Sequence, residues 1–177
     1  MLIGLTARNA AGKDVVARYL VEQHGFRYFS LSDILRGELE RKSVKVTREN
    51  LTIEGNALRG SRGAGALARM ALEALEGIDK AVVVSIRNPG EVETLRTRKD
   101  FILIGVDAPV EVRYHRAAAR ARSDDARSLE DFIRQERAEL AGGENEQQLE
   151  RVFEMNDRVI SNGGTLEELY AKVEELL

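Results

Sequence analysis

Apolar residues fall into five short runs. Each run is flanked by turn-forming or charged residues. Runs of this kind, rich in β-branched residues, are typical of strands. Between them, apolar residues recur every three to four positions, as at Val15, Val16, Tyr19 and Leu20, and this spacing indicates helices. Strands that are apolar on both faces and alternate with helices form βαβ units, so we expect a mainly parallel sheet covered on both sides. The five predicted strands are 1–6, 27–31, 81–86, 101–106 and 158–161.

The length and composition narrow the class of protein. A chain of 177 residues fits one domain, and 43% apolar with 32% charged residues excludes a disordered or fibrous chain. The 27 basic and 30 acidic residues nearly cancel, so no overall positive field favours a nucleic acid or an anionic membrane as partner. Any anion site must therefore be local.

Residue types that are rare or missing exclude some chemistry. The chain has no cysteine and only two histidines, which excludes thiolate chemistry and argues against a histidine metal site. No apolar stretch approaches the roughly 20 residues of a membrane span, and the start lacks the pattern of a secretory leader. We therefore expect a cytoplasmic protein without a membrane partner. The sequence leaves its protein partners open.

The first predicted strand runs into residues 7–14, Ala-Arg-Asn-Ala-Ala-Gly-Lys-Asp, and then into an amphipathic helix. The phosphate-binding P-loop reads G-x4-G-K-S/T in this setting, because backbone N–H groups and a lysine surround phosphate oxygens there. Gly12 and Lys13 match, whereas Ala7 replaces the first glycine. The alternative is an ordinary turn with an aspartate at the helix start. The P-loop interpretation predicts a phosphate-binding set of Asn9, Ala10, Ala11, Gly12, Lys13, Asp14 and Val15.

Asp14 stands where a P-loop has a serine or threonine hydroxyl that reaches Mg²⁺. Its carboxylate can ligate Mg²⁺, directly or through water, which makes Asp14 the candidate metal ligand. Its negative charge can instead oppose a nearby triphosphate and weaken nucleotide binding. Both interpretations stay open.

The second strand leads to Asp33 and, three residues later, Arg36. This spacing resembles adenylate kinases, in which the arginine clamps the acceptor phosphate and the aspartate orients the attacking oxygen or a metal-bound water. The alternative is a helix capped by Ser30, with Asp33 completing a capping box and Arg36 in solvent. Residues 33–78 would form an acceptor-binding insertion, in which Arg59 is a weaker substrate-binding candidate.

The third strand ends in Ser85-Ile-Arg-Asn-Pro89, followed by Glu91-Val-Glu93. Related kinase-like proteins carry this pattern after an acidic residue, whose position Val84 occupies here. The resemblance gives Arg87 a phosphate-binding role and gives Val84 no metal role. The alternative is an arginine at a turn that pairs with Glu91 or Glu93.

After the fourth strand and Asp107-Ala-Pro109, Arg113, Arg116 and Arg120 share one face of a predicted helix. The Arg116 and Arg120 pair resembles an R-x3-R pair at the edge of a lid, with one guanidinium on the adenine and one on the phosphates. We place that lid at about 116–145. The alternative is a basic helix face balanced by acidic residues at 124, 125, 130 and 131.

The last strand is followed by Asn162-Gly-Gly164 and a capping box from Thr165 to Glu168. It resembles the turn that borders the adenine in dephospho-coenzyme A kinases. The alternative is a tight turn with no contact to a base.

Together these motifs resemble the dephospho-coenzyme A kinase-like and adenylate kinase-like P-loop proteins, including the kinase-like domain found with deoxycytidylate deaminases. The resemblance spans residues 1–177 as one domain. It implies a three-layer α/β fold with a five-stranded parallel sheet of order 2-3-1-4-5, helices on both faces and a small lid.

The resemblance also implies ATP- and Mg²⁺-dependent phosphoryl transfer to a nucleotide substrate, with a nucleoside monophosphate as the leading acceptor. One alternative is a dephospho-coenzyme A kinase. Another is a nucleotide-binding module with little turnover, because of Asp14 and Val84. The expected catalytic residues are Lys13, Asp33, Arg87 and Arg120; Arg116, Asn162 and Gly164 join the nucleotide site, and Asp33, Arg36, Arg59 and Arg87 bind substrate.

Overall fold

The computed structural model describes residues 1–120, 128–140 and 147–177. Its strands are β1 (Leu2–Ala7), β2 (Arg27–Ser30), β3 (Ala81–Val84), β4 (Phe101–Asp107) and β5 (Arg158–Ser161). Its helices are α1 (Lys13–His24), α2 (Leu31–Arg41), α3 (Arg48–Arg62), α4 (Ala66–Ala74), α5 (Pro89–Leu95), α6 (Val110–Arg120), α7 (Leu129–Leu140), α8 (Leu149–Glu154) and α9 (Leu166–Glu174).

The five strands form one parallel sheet in the order β2-β3-β1-β4-β5. This confirms the predicted fold class, strand order and parallel pairing. In the register, Gly4 of β1 lies between Val83 of β3 and Leu103 of β4. A Cβ on Gly4 would lie 2.8 Å from side-chain atoms of Leu103 and Phe101, so a larger residue would force these side chains to move. The carboxyl ends of all five strands meet at one edge, where ligands bind in such sheets.

Apolar side chains cover both faces of the sheet, because alternate residues of a buried strand point to opposite sides. One cluster joins Ile3 and Val82 to helices α1 and α9, through residues such as Leu20 and Leu169. The other joins Val83 to α2, α3, α4, α5 and α8, through residues such as Leu67. These two layers confirm the expectation of a sheet covered on both sides.

The strand ends differ slightly from the sequence prediction. We predicted that the third strand runs to residue 86, but β3 ends at Val84 because Ser85 adopts a φ of +63°, outside the extended region. The predicted capping box at the start of α9 is present, with Thr165 Oγ1 accepting from the Glu168 backbone N–H at 3.2 Å. Parts of the predicted lid, 121–127 and 141–146, lie outside the described residues. None of the helices in the described ranges combines the length and apolar character of a membrane span.

Candidate functional site

The loop between β1 and α1 has the geometry of an anion cradle. Ala10 and Gly12 adopt positive φ values of 59° and 103°, and Ala11 donates a backbone hydrogen bond to Arg8 O at 3.1 Å. Helix α1 then begins at Lys13 without a side-chain cap. The first N–H groups of a helix have no partner inside the helix and carry partial positive charge, so this uncapped end suits a phosphate.

Gly12 fits the loop for two reasons. Its φ of 103° lies where L side chains are strained, and a Cβ would lie 2.3 Å from Asn162 Nδ2. The same Asn162 amide donates to Ala11 O at 2.8 Å. Residues beyond β5 therefore support the loop from behind.

Lys13 and Asp14 form an ion pair, with Nζ and Oδ1 2.5 Å apart. Asp14 is 81% exposed, so its carboxylate stays accessible to a cation. In the described part of the chain, no three histidine, cysteine, aspartate or glutamate side chains gather as metal ligands. Mg²⁺ at kinase sites is held by one or two carboxylates together with substrate phosphates, so Asp14 with a bound triphosphate fits that donor set.

A cleft of about 840 Å³ extends from this loop to the acceptor-side helices α2 and α3. The described lining is rich in basic residues, because eight cationic residues line the cleft against two acidic ones, Asp14 and Glu136. The excess contrasts with the near-neutral chain. The cations are Arg8, Lys13, Arg36, Arg48, Arg59, Arg87, Arg116 and Arg120.

Most of the predicted site residues line this one cleft: all seven loop positions from Asn9 to Val15, and five arginines, Arg36, Arg59, Arg87, Arg116 and Arg120. Three predicted residues do not line it, namely Asp33, Asn162 and Gly164. Asn162 lies behind the loop, and Gly164 lies next to the Glu168 carboxylate in the cap of α9. Asn162 thus supports the loop, and the roles of Asn162 and Gly164 beside a nucleotide stay predictions.

On the acceptor side, Arg36 lines the cleft, and its Nε lies 3.4 Å from Asp33 Oδ1. Asp33 therefore contacts the arginine that faces the cleft and does not face it itself. The capping alternative is wrong in its detail, because Ser30 makes no side-chain cap for α2. The Ser30 hydroxyl instead lies 2.9 Å from both Ser32 Oγ and Ser85 Oγ.

Val84 is buried, with 1% of its surface exposed, in the cluster that contains Ala11 and Val16. The position where the sequence resemblance predicts an acid is thus part of the core behind the loop. The next residue, Ser85, has left-handed backbone and faces the cleft. Non-glycine residues in this conformation are uncommon and cluster at functional sites.

Arg59 belongs to a buried ion pair. Its Nε and Nη2 each lie 2.9 Å from Glu91 Oε1, and the two side chains are 3% and 0% exposed. The other Glu91 oxygen accepts from the backbone N–H groups of Arg87 and Asn88, at 2.7 and 3.2 Å. Burial raises the pKa of the Glu91 carboxyl, while Arg59 and the two N–H groups oppose that shift. Arg59 is therefore a structural part of the cleft wall, and its predicted contact with substrate stays a prediction.

The predicted alternative paired the Arg87 guanidinium with Glu91 or Glu93, and the structure excludes the Glu91 half of it. Glu91 pairs with Arg59, and Arg87 Nη1 donates to Gln147 Oε1 at 2.7 Å. Arg87 thus faces the cleft from the end of β3, next to the point where Ser85 turns the chain.

Three arginines of α6 contact the loop region. Arg120 Nη2 donates to Asn9 Oδ1 at 3.4 Å, and Arg116 Nη1 donates to Asn162 O at 2.9 Å. The buried Arg113 donates to Ala108 O and Asn9 O, at 2.9 and 3.3 Å. The shared helix face that the spacing predicted is confirmed.

The acidic contacts of α7 differ from the predicted charge balance, because Glu136 was not in the predicted set. Glu136 pairs with Arg113, whereas Asp131 pairs with Arg134 on its own helix. Residues 124 and 125 lie outside the described residues. Arg120 thus contacts the loop at Asn9, and Arg116 contacts Asn162, which supports the loop. Both arginines project from α6 toward the cleft.

The sequence interpretation missed two contacts made by arginines that line the cleft. Arg8, the first residue after β1, forms a bidentate pair with Glu150, at 3.0 and 2.8 Å, and its hydrogen bond to Glu150 raises the pKa of Arg8. Gln147 bonds Arg87 from the segment before α8. Both contacts join residues far apart in the chain, and no local pattern marks either of them.

The sheet order, the uncapped loop and the basic cleft define a protein with a P-loop kinase-like fold. The chain is similar to the crystal structure of TT1252 from Thermus thermophilus, with a TM-score of 0.65, 22% identity and coverage of 99% of this chain and 95% of that one. It is also similar to shikimate kinase from Bacteroides thetaiotaomicron, with a TM-score of 0.57, 13% identity and coverage of 99% and 96%. At these identities the likeness shows the fold.

Sequence relatives then give the family. The chain is 31% identical to the UPF0200 protein TK1334 of Thermococcus kodakarensis over 184 aligned positions, which span 100% of this chain and 96% of the relative. A UPF0200 protein of Methanosarcina barkeri is 31% identical over 180 positions, with coverage of 99% and 94%. The chain therefore belongs to the UPF0200 family. A scan against protein-family models finds no match.

Proposed function

We propose that this protein binds ATP with Mg²⁺ at the β1–α1 loop and transfers the terminal phosphoryl group to a small nucleotide-like acceptor, with a nucleoside monophosphate as the leading candidate. The observation that supports this most is one continuous basic cleft of about 840 Å³ that runs from the loop to Arg36 and Arg87. Ligand sites usually span about 300–1,000 Å³, so the cleft has room for a donor and an acceptor.

The residues of the cleft divide the work by position. The loop N–H groups and Lys13 would hold the donor phosphates, and Arg116 and Arg120 would approach them from α6. Arg36 and Arg87 would hold the acceptor phosphate, with Asp33 orienting Arg36 through their 3.4 Å contact. Catalysis of this kind depends mainly on positioning and on stabilising the charge of the transferring group.

Mg²⁺ would be held by Asp14 together with the donor phosphates, and it would neutralise part of their charge. For that, the Asp14 carboxylate must leave its 2.5 Å contact with Lys13 or share it. Lys13 would then be released toward the phosphates. Breaking the pair would thus free Asp14 for Mg²⁺ and Lys13 for the phosphates.

A second candidate function is a nucleotide-binding module with little or no turnover. Two observations favour it: Val84 is buried where related kinases carry an acid, and Asp14 adds negative charge beside the phosphate cradle. Such a protein would bind ATP at the loop without transferring phosphate to an acceptor. The two functions share the loop and differ in turnover.

A Mg²⁺-dependent transfer screen with ATP separates these functions. Purified protein is offered each common nucleoside monophosphate and dephospho-coenzyme A, and phosphorylated products are measured. Transfer to a nucleoside monophosphate supports the first function, and transfer to dephospho-coenzyme A alone reassigns the acceptor. Tight ATP binding without product from any of these acceptors supports the binding module.

Calorimetry on Lys13→Ala tests the loop itself. We expect the variant to lose about ten-fold or more in ATP affinity while it keeps the parental melting temperature, because Lys13 supplies a charge-assisted contact to phosphate. Lys99→Ala removes an exposed lysine outside the cleft and serves as the matched control. Equal ATP affinity in parent and Lys13→Ala would contradict the role of Lys13. If neither ATP nor GTP binds the parent, the P-loop interpretation fails.

A further inference from the structure

The segment just before α8 holds Arg87 at two points. Gln147 Oε1 accepts from Arg87 Nη1 at 2.7 Å, and the Gln148 backbone N–H donates to Arg87 O at 2.8 Å. Both the backbone and the guanidinium of Arg87 are thus fixed by two consecutive residues. Arg87 and Gln147, which the side-chain bond joins, are 60 residues apart in the sequence.

The same Gln147 amide also reaches the acceptor-side helices. Its Nε2 donates to Thr52 Oγ1 on α3 at 3.4 Å, and Thr52, Gln147 and Arg87 all line the cleft. One side chain therefore joins the arginine at the end of β3 to the helix that forms the opposite wall. The amide uses its acceptor on one side and its donor on the other.

The chemical nature of this partner matters for an anion site. Carboxylates hold other cations of the cleft: Glu150 holds Arg8, and Glu91 holds Arg59. A carboxylate orients a guanidinium and also cancels its charge. A carboxamide orients it through a neutral oxygen, so this contact does not weaken the field that an incoming phosphate meets.

We propose that Gln147 is a positioning residue that orients the Arg87 guanidinium toward the phosphate of the acceptor through a bond that itself adds no negative charge. The proposal deepens the proposed function and rests on it, since it gives Arg87 the acceptor phosphate. Because Gln147 also bonds Thr52, it fixes the distance between Arg87 and α3. Its neutral side chain thus sets how tightly the acceptor binds.

The decisive variant is Gln147→Glu, which keeps the size of the side chain and adds a negative charge 2.7 Å from Arg87 Nη1. We expect the KM for the acceptor to rise about ten-fold or more, because the phosphate must displace a charged partner. The kcat and the KM for ATP should stay within about two-fold of the parent, since a rise confined to KM reflects lost binding of one substrate. Gln147→Leu, which removes the bond but adds no charge, should raise the acceptor KM by less.

The matched control is Gln23→Glu, which makes the same change at an exposed position outside the cleft. It should leave every constant unchanged. If Gln147→Glu only lowers the melting temperature and keeps the parental acceptor KM, Gln147 is merely structural and the proposal is overturned.

A binding measurement keeps the proposal testable without turnover. Nucleoside monophosphates are titrated calorimetrically into parent, Arg87→Ala, Gln147→Glu and Gln23→Glu proteins, each with a non-hydrolysable ATP analogue present. The expected result is parental affinity in Gln23→Glu and a loss of affinity in the other two variants. Unchanged affinity in Gln147→Glu overturns the proposal, as does a parent whose monophosphate binding does not depend on Arg87.

The two experiments together separate the possible failures. Monophosphate binding that depends on Arg87 and Gln147, with no product in the transfer assay, would remove the catalytic part of the proposed function and support the role of Gln147. Phosphoryl transfer by the parent, with an unchanged acceptor KM in Gln147→Glu, would support the proposed function and overturn the role of Gln147.

Discussion

The buried pair of Arg59 and Glu91 offers the sharpest test of how the cleft wall is stabilised. The two groups lie 2.9 Å apart and are 3% and 0% exposed, so neither charge has water as a substitute partner. Replacing Arg59 with Met keeps an apolar side chain of similar length but leaves the Glu91 charge unpaired. Breaking a buried pair in this way costs about 3–5 kcal/mol.

Variants of Glu91 refine that magnitude. Glu91→Gln removes the negative charge that balances Arg59 but keeps an oxygen that can accept from the N–H groups of Arg87 and Asn88. In the parent protein these N–H groups lie 2.7 and 3.2 Å from the carboxylate. Glu91→Leu loses both, and each buried N–H left without a partner adds about 1–3 kcal/mol. We therefore expect Glu91→Leu to be the least stable single variant. The double variant Arg59→Met with Glu91→Gln buries no charge and should lose less than the two single costs combined.

Urea unfolding followed by circular dichroism measures these differences, and thermal unfolding provides a second readout. For a chain of this size, about 1 kcal/mol corresponds to roughly 2–4 °C, so Arg59→Met should melt about 6–20 °C below the parent. Arg134→Met is the matched control, because it removes an arginine that is 77% exposed from a surface pair. It should cost no more than about 1 kcal/mol.

Two results would refute the reasoning. One is an Arg59→Met variant within about 1 kcal/mol of the parent, since a buried unpaired carboxylate must cost more than that. The other is a double variant whose loss equals the sum of the single losses, because independent costs would mean that the two groups do not act as a pair.

Three further variants test other contacts. Gly12→Ala, which forces an L side chain to a φ of 103°, should cost about 1–3 kcal/mol in unfolding free energy and weaken ATP binding in calorimetry; parental values would contradict the strain at the loop. Glu150→Gln weakens the pair that holds Arg8 away from phosphate by about 1 kcal/mol, so it should raise ATP affinity roughly five-fold. Unchanged affinity would exclude Arg8 from the donor site. The pKa of Glu174 is lowered by its hydrogen bond from Tyr19, so the stability that this carboxylate adds is present above its unfolded pKa and lost as the pH falls through its folded value. Tyr19→Phe should shift the NMR titration of Glu174 upward, and an unmoved titration would rule out that cause.

Much of the cleft could be predicted because its elements are local in sequence. Gly12 and Lys13 follow an apolar strand and precede an amphipathic helix, so the motif and its setting are read together within a short stretch. Arg116 and Arg120 are four residues apart, and helical geometry alone puts them on one face. In each case the periodicity of one element places the residue.

The partners of these residues could not be predicted in the same way. Arg59 meets Glu91 across 32 residues, and Arg8 meets Glu150 across 142. Nothing in either neighbourhood distinguishes these charges from solvated ones. The sequence named Arg59 as a substrate-binding candidate but could not show that Glu91 lies buried against it.

The sequence by itself determined the alternation of strands and helices, the position of the β1–α1 loop and the set of basic residues near it, because each depends on spacing along one or two elements. Only the tertiary structure decided which of these cations face the cleft and what holds them. It pairs Arg59 with a carboxylate and Arg87 with the neutral amide of Gln147, and it puts Asn162 behind the loop. The physical reason is that a side chain's charge and hydrogen bonds depend on what packs against it, and packing joins elements that lie far apart in the chain.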